Sequence, residues 1–411
     1  MLDAIKATWQ QVEALTAEGK VLSAWAVDFG GIAEGLFKMT LGNQIGFALS
    51  KLIDPQSLFG QNYGGIIVET AEPINGAILL GRTTAEAVFA FNDSQKIALQ
   101  ELQASWEAPL ENVFPTQCEQ QKVPAEPIEA VSYKARPLHT YNGSIARPKA
   151  VIPVFPGTNC EYDTARSVEM AGGKAEVVVI SNLTASMLQD SIERLNKALR
   201  TAQMMILPGG FSFGDEPDGS GKFIATFMRN PLLTDTIHDL LYQRDGLALG
   251  ICNGFQVLVK LGLLPYGKIL ETDEHCPTLT YNAIGRHQSR YVQTRIASVR
   301  SPWLSEVNVG DIHSIAVSHG EGRFVCEEGL LKKLIENGQI ATQYVDFDGD
   351  PSMDIAFNPN GSVMAIEGIL SPDGRILGKM GHSERIGTDV AKNIAGSKDQ
   401  QLFKAGVNYF K

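Results

Sequence analysis

The sequence is sparing with cysteine, has little clustered basic charge, and contains no long apolar run. Its five cysteines (Cys118, Cys160, Cys252, Cys276, Cys326) are odd in number, widely spaced and without a CxxC pair. That indicates neither a disulfide framework nor a zinc site, and fits thiols placed singly in a reducing compartment. No apolar stretch is long enough to cross a bilayer, so no membrane partner is expected. The first ten residues pattern as an amphipathic helix and lack the apolar core and cleavage site of a secretory signal; a cytoplasmic protein is expected. A formal charge of -11 argues against general affinity for nucleic acid, because phosphate binding needs clustered Lys and Arg. The one basic cluster, Gly285-Arg286-His-Gln-Ser-Arg290, either steers an anionic partner or, as the preferred reading, forms a solvated face.

At 411 residues the chain is too long for one ordinary core, and two or three domains are expected. Residues 1–105 form a first block, with helical patterns at 1–18 and 85–104 and strand-like runs at 21–27, 66–69 and 77–80. Six prolines fall within 106–148, a composition that fits a linker lying over a surface. From 149 the text changes to apolar strands (150–155, 175–180, 204–207, 247–251) alternating with helical stretches (165–171, 185–202 and onward to 242). Strands that are apolar without alternation indicate a parallel sheet covered on both faces. Beyond about 270 the pattern is strand-rich and extends or caps that sheet. Ligand sites in such sheets lie at the carboxyl ends of the strands, where Pro208-Gly-Gly-Phe-Ser-Phe-Gly-Asp215 and Cys252 both fall.

Cys252 stands at a strand-to-helix junction, Gly250-Ile-Cys-Asn-Gly-Phe-Gln256. A helix N-terminus favours thiolate through its dipole and unpaired N–H groups. Small neighbours at such an elbow are what expose a nucleophile above a sheet; the plainer reading is a small buried hydrophobe. Acyl transfer also needs oxyanion donors, which the backbone N–H groups of Gly210, Phe211 and Asn253 can supply. It needs a histidine oriented by a carboxylate. The chain offers His319-Gly-Glu321 and His382-Ser-Glu384, and sequence physics leaves the two even. Gly157-Thr-Asn-Cys160 lacks the lysine of a P-loop and reads as the start of an ordinary helix capped by Asn159. Cys160 is a rival thiol to which no carboxylate-oriented histidine is assignable.

Strand, Pro-Gly-Gly loop, cysteine elbow and late His-x-Glu together resemble a class I, triad-type glutamine amidotransferase. The stretches Gly209-Gly-Phe-Ser-Phe-Gly-Asp215, His319-Gly-Glu-Gly-Arg323 and His382-Ser-Glu-Arg385, with the ending 399–410, are closer still to the glutaminase portion of the phosphoribosylformylglycinamidine synthases. Ala26-Val-Asp-Phe-Gly-Gly-Ile-Ala-Glu-Gly-Leu-Phe-Lys-Met39 is similar to the C-terminal subdomain of aminoimidazole-ribonucleotide-synthetase-like repeats. The resemblance implies an α/β glutaminase domain with a mostly parallel sheet between helices at 149–411, a linker at 106–148, and a preceding α+β synthetase-like subdomain at 1–105.

The resemblance also implies Cys252 as nucleophile, His382 as base and later acid, and Glu384 as its orienter. His319 and Arg323 would line the glutamine site or the face that meets the synthase, and Gln256 would face the same pocket. Two departures stand out: Glu216-Pro217-Asp218 after the glycine loop, and Ser383 where other branches have proline. The implied activity is glutamine hydrolysis through a thioester, with no cofactor or metal for this half. ATP and Mg belong to the complete synthase, and glutamine and upstream synthase domains are the expected partners. The alternatives are a non-catalytic or conditionally active module that binds the synthase part, and a cysteine hydrolase acting on peptides.

Overall fold

A computed structural model describes residues 2–116, 128–136, 140–212 and 220–411. Cys118, the loop residues Gly214 to Asp218, and parts of 106–148 lie outside the described residues. The chain forms two compact units, Met1–Thr116 and Gln117–Lys411.

In the first unit the elements run α1 (Leu2–Ala17), β1 (Val21–Ala26), α2 (Gly31–Leu41), β2 (Gly46–Leu49), β3 (Ile66–Thr70), β4 (Gly81–Thr84), β5 (Val88–Ala90), β6 (Lys96–Ala98) and α3 (Leu99–Glu107). β1 pairs with β3, and a second sheet has the order β4-β2-β5-β6. Leu36, Phe47, Leu58, Ile67, Phe89 and Leu99 are among its core. Two expectations fail here. The helical pattern at 85–104 resolves into a β5–β6 hairpin followed by α3. Its turn is closed by Asn92, whose Oδ1 accepts from the N–H groups of Ser94 (3.0 Å) and Gln95 (2.8 Å). A side chain that satisfies two turn amides outcompetes helix at that point. The strand expected at 77–80 begins only at Gly81, where pairing with β2 starts.

The second unit runs β7 (Lys149–Val154), α4 (Glu161–Met170), β8 (Lys174–Val179), α5 (Ala185–Leu199), β9 (Met204–Leu207), α6 (Lys222–Met228), α7 (Pro231–His238), β10 (Leu247–Ile251), α8 (Asn253–Leu261) and α9 (Leu263–Tyr266). It continues β11 (Thr278–Tyr281), β12 (Gln288–Ile296), β13 (Ile312–His319), β14 (Glu321–Val325), α10 (Glu328–Glu336), β15 (Ile340–Val345), β16 (Ile366–Leu370), β17 (Ile376–Lys379) and α11 (Leu402–Asn408). Nine strands form one sheet in the order β13-β12-β15-β16-β17-β10-β9-β7-β8.

Strands β8, β7, β9, β10 and β17 are mutually parallel. The β13-β12-β15-β16 half is antiparallel and joins β17 antiparallel. The sheet is therefore mixed rather than mostly parallel. Its first half is built from strands returned by helices, whereas β16 reaches β17 through a short turn with no crossover, which only antiparallel neighbours allow. Residues 128–136 lie against this unit: Tyr133 N–H donates to the Ala297 carbonyl (2.8 Å) and Val131 N–H to Gln343 Oε1 (2.8 Å).

β10 is buried at every position, and α8 packs onto the sheet so closely that a Cβ at Gly254 would lie 2.0 Å from the Leu207 carbonyl oxygen. Gly254→Ala is expected to lower the urea midpoint without changing the slope, a loss of about 1–3 kcal/mol. Equilibrium urea unfolding of the two proteins checks it.

Candidate active site

Cys252 is the pivot between β10 and α8, with φ 51 and ψ -108. A non-glycine residue held at positive φ is strained, and such strain persists where the surroundings over-determine it. Here its N–H donates to the Lys379 carbonyl (2.8 Å), and its carbonyl accepts from Phe255 (3.0 Å) and Gln256 (3.1 Å), the first turn of α8. The thiol, on a residue 4% exposed, lies 3.8 Å from the Ser318 carbonyl at the end of β13. Asn253 and Gly254 open the helix, where N–H groups have no intrahelical acceptor.

β17 runs parallel to β10 in a register that pairs Gly250 with Gly378 and Ile251 with Lys379. That register delivers residues 381–384 beside Cys252. The His382 N–H donates to the Ala316 carbonyl (2.8 Å), and its Nδ1 pairs with Glu384 Oε1 at 2.6 Å. Both side chains are buried. Nε2 is buried with no hydrogen-bond partner among the described residues. Burial alone would pull the imidazole down, but the Glu384 carboxylate, with the Cys252 and Cys160 thiols beside it, holds His382 well above its ordinary value. Burial likewise pushes Glu384 up, and the His382 charge overrides it, so the carboxyl lies below its ordinary value. Glu384 commits Nδ1–H and leaves Nε2 for proton transfer, and its charge favours the protonated ring that forms when Nε2 takes a proton.

The other His-x-Glu motif is built differently. His319 Nδ1 meets Asn282 Oδ1 at 3.0 Å, while Glu321 Oε2 accepts from Ser220 N–H (2.8 Å). Glu321 therefore does not orient His319, and only the later motif has the carboxylate–imidazole geometry. Burial first, then the His382 and His287 charges, push His319 down to about 3. It is a neutral ring whose Nε2 is buried and, among the described residues, without a partner.

The glycine loop touches all of this. A Cβ at Gly209 would lie 2.7 Å from His382 Cε1, 3.2 Å from Cys160 Sγ and 3.4 Å from Cys252 Cβ, so only glycine fits. Phe211 is removed from the expected oxyanion donors, because its N–H donates to the Gly157 carbonyl (2.8 Å). Gly210, at φ 150, and Asn253 remain. Gln256 is buried and fully engaged: its Nε2 donates to the Glu321 carbonyl (2.7 Å) and its Oε1 accepts from Asn253 Nδ2 (2.9 Å). It braces the elbow. Arg323 sits on β14 with Nε buried and, among the described residues, makes no hydrogen bond to Cys252 or His382.

Cys160 is nearer the site than expected. Its Sγ lies 3.8 Å from His382 Nδ1 and 3.4 Å from Arg385 Nη2, so a carboxylate-held histidine does stand beside it. It is also the N-cap of α4, with no side-chain cap bond. Asn159 does not cap the helix; its Oδ1 accepts a hydrogen bond from the Cys160 thiol at 3.1 Å. Donor atoms of Cys160, His382 and Glu384 lie within 4.8 Å of one another, but His382 Nδ1 and Glu384 Oε1 already satisfy each other. Arg290, in the basic cluster, donates to the Ile355 (3.4 Å) and Ala356 (3.3 Å) carbonyls and to Gln288 Oε1 (2.7 Å). Among the described residues no helix is long and apolar enough to cross a membrane. Sequence reasoning missed Asn282, Lys379 and Glu367; single polar residues in or beside strands carry no local signal.

The family described as CobB/CobQ-like glutamine amidotransferase domain matches residues 147–410. Over 282 residues the chain is 34% identical to the phosphoribosylformylglycinamidine synthase subunit PurQ of Treponema denticola, covering 64% of this chain and 99% of that one. The PurQ of Aquifex aeolicus is 35% identical over 254 residues, 61% of this chain and 95% of its own. A solved structure of PurLQS from Thermotoga maritima is similar at 26% identity and a TM-score of 0.46, covering 64% of this chain and 100% of that chain.

Since His319 is held neutral when folded and takes a proton when unfolded below about pH 6.5, the unfolded state binds more protons as pH falls, and stability is lost from pH 6.5 downward. At pH 5 the loss is about 2 kcal/mol. In His319→Gln the stability difference between pH 7.5 and pH 5 is expected to shrink by that amount, as measured by urea unfolding at both values.

Proposed function

The chain belongs to the CobB/CobQ-like glutamine amidotransferase family, and from that premise we propose that Cys252, His382 and Glu384 hydrolyse glutamine to supply ammonia for formylglycinamidine ribonucleotide synthesis. The carrying observation is the split of roles on one ring: His382 Nδ1 is tied to Glu384 at 2.6 Å, while Nε2 is buried and, among the described residues, without a partner.

Cys252 gives its proton to His382 Nε2, and Sγ attacks the side-chain amide carbon of glutamine. The oxyanion is met by the N–H groups of Gly210 and Asn253. Collapse returns the proton from His382 to the departing nitrogen, releasing ammonia and leaving a thioester. Water, losing a proton to the same nitrogen, then cleaves the thioester to glutamate and frees the thiol. His319, neutral and with a free lone pair, lines the substrate side as an acceptor. In the complete enzyme ammonia replaces the amide oxygen of formylglycinamide ribonucleotide in a ligation that uses ATP and Mg. Those ligands belong to the synthase partner. PurQ, the similar subunit, names that reaction.

Cys160 does not serve as the nucleophile in this reading. It faces the nitrogen whose proton is committed to Glu384, and it lacks the elbow that presents Cys252. The first unit we assign to the synthetase-like C-terminal subdomain, supported by the stretch 26–39, which forms the end of β1 and most of α2. Residues 106–148 are assigned as the linker. A second reading, a module whose hydrolysis is switched on by its synthase partner, is favoured by the burial of Cys252 to 4% exposure.

Intact-mass and peptide mapping after treatment with a glutamine-like chloroketone tests the assignment. Labelling at Cys252 alone, prevented by glutamine, is expected; slow, unprotected labelling of all thiols would falsify it. Cys252→Ser is expected to lower glutaminase turnover by roughly 10³-fold or more. Cys160→Ser is expected to keep it within about ten-fold, and equal losses in the two variants would transfer the role to Cys160.

A further inference from the structure

Lys379 is 1% exposed and Glu367 is 0% exposed, and they form an ion pair at 3.1 Å between β17 and β16, near the middle of the nine-stranded sheet. A buried ion pair is seldom retained for stability, since desolvation offsets most of the attraction. What distinguishes this pair is where its remaining bonds go. The Lys379 ammonium donates to the Gly381 carbonyl (2.9 Å) and to Ser383 Oγ (3.0 Å). With Glu367, that uses all three of its donors. Glu367 Oε1 accepts from the Gly381 N–H (2.6 Å) and its Oε2 from the Thr342 hydroxyl. The Ser383 hydroxyl passes on to Gln400 Oε1 (2.6 Å), whose amide donates to Thr294 (3.1 Å). The residues on both sides of His382 are thus held by charge-assisted bonds that begin at one side chain.

The same residue holds the nucleophile. Its carbonyl accepts the Cys252 N–H at 2.8 Å. We propose that Lys379 is a positioning residue for this reaction: its carbonyl fixes the elbow of Cys252, and its ammonium, with Glu367 and Ser383, fixes the loop of His382. The inference rests on the triad assigned above. A pair that only filled core could be replaced by apolar side chains, but apolar side chains would leave the Gly381 N–H and carbonyl without partners and free the loop. A base displaced by about an ångström loses up to about a hundred-fold in rate.

The test uses the full chain as wild type, Lys379→Met, the double variant Lys379→Met/Glu367→Gln, and Ser383→Ala. Glutaminase kcat and KM, the rate of Cys252 alkylation by the chloroketone, and the urea midpoint are measured for each. In Ser383→Ala, kcat and alkylation are expected to fall roughly ten-fold with KM for glutamine within about two-fold. In the double variant the fall is expected to approach about a hundred-fold. Lys379→Met alone is expected to be the least stable, since it strands the Glu367 charge. A lower urea midpoint with kcat per folded molecule unchanged means the pair is structural only and overturns the proposal. Where Lys379→Met does not fold, Ser383→Ala decides: wild-type kcat and alkylation in it overturn the proposal. Wild type unlabelled at Cys252 rejects the triad itself, and the inference with it.

Discussion

One main-chain hydrogen bond, from the Cys252 N–H to the Lys379 carbonyl, joins the two halves of the proposed catalytic site. It extends the parallel pairing of β10 and β17 by one step past their ends. Everything that meets in the site leaves the sheet from those two neighbouring strands, from β9 or from the tip of β13. Strand register is unforgiving, since a slip of one residue displaces a chain by about 3.3 Å and reverses its side chains. A nucleophile and its base set by register need no long side-chain scaffolding to find each other.

Much of this was legible because of how completely β7, β9 and β10 are buried. Strands covered on both faces show as unbroken apolar runs, and 150–155, 204–207 and 247–251 could be placed from that alone. The elbow was visible in the small residues around Cys252. The second half of the sheet was less so: β12, β13 and β15 carry polar residues such as Thr294, Ser314, His313, Thr342 and Gln343 that are nonetheless buried. Their burial comes from neighbours distant in sequence. The 85–104 stretch went wrong for a local reason, as its helical spacing hid the amides that Asn92 captures in a turn.

Choosing between the two His-x-Glu motifs lay beyond sequence physics, since both have the same spacing. The structure separates them by what each carboxylate meets, with Glu321 turned to a backbone amide and Glu384 to an imidazole. Phe211 shows the converse limit. Nothing in its sequence context says that its N–H is already donated to Gly157. Oxyanion donors are defined by which amides remain unused, and that is a property of the assembled loop.

The distance along the chain between β10 and β17 has a consequence for synthesis. Ile251 and Lys379 pair across more than a hundred residues, and contacts of such long range form late, after the intervening strands have found their places. Cys252 therefore leaves the ribosome long before His382, its proposed base. During elongation the thiol has no imidazole beside it, and that neighbour arrives only when β17 pairs with β10. The order of synthesis thus keeps the two proposed partners apart until the sheet closes.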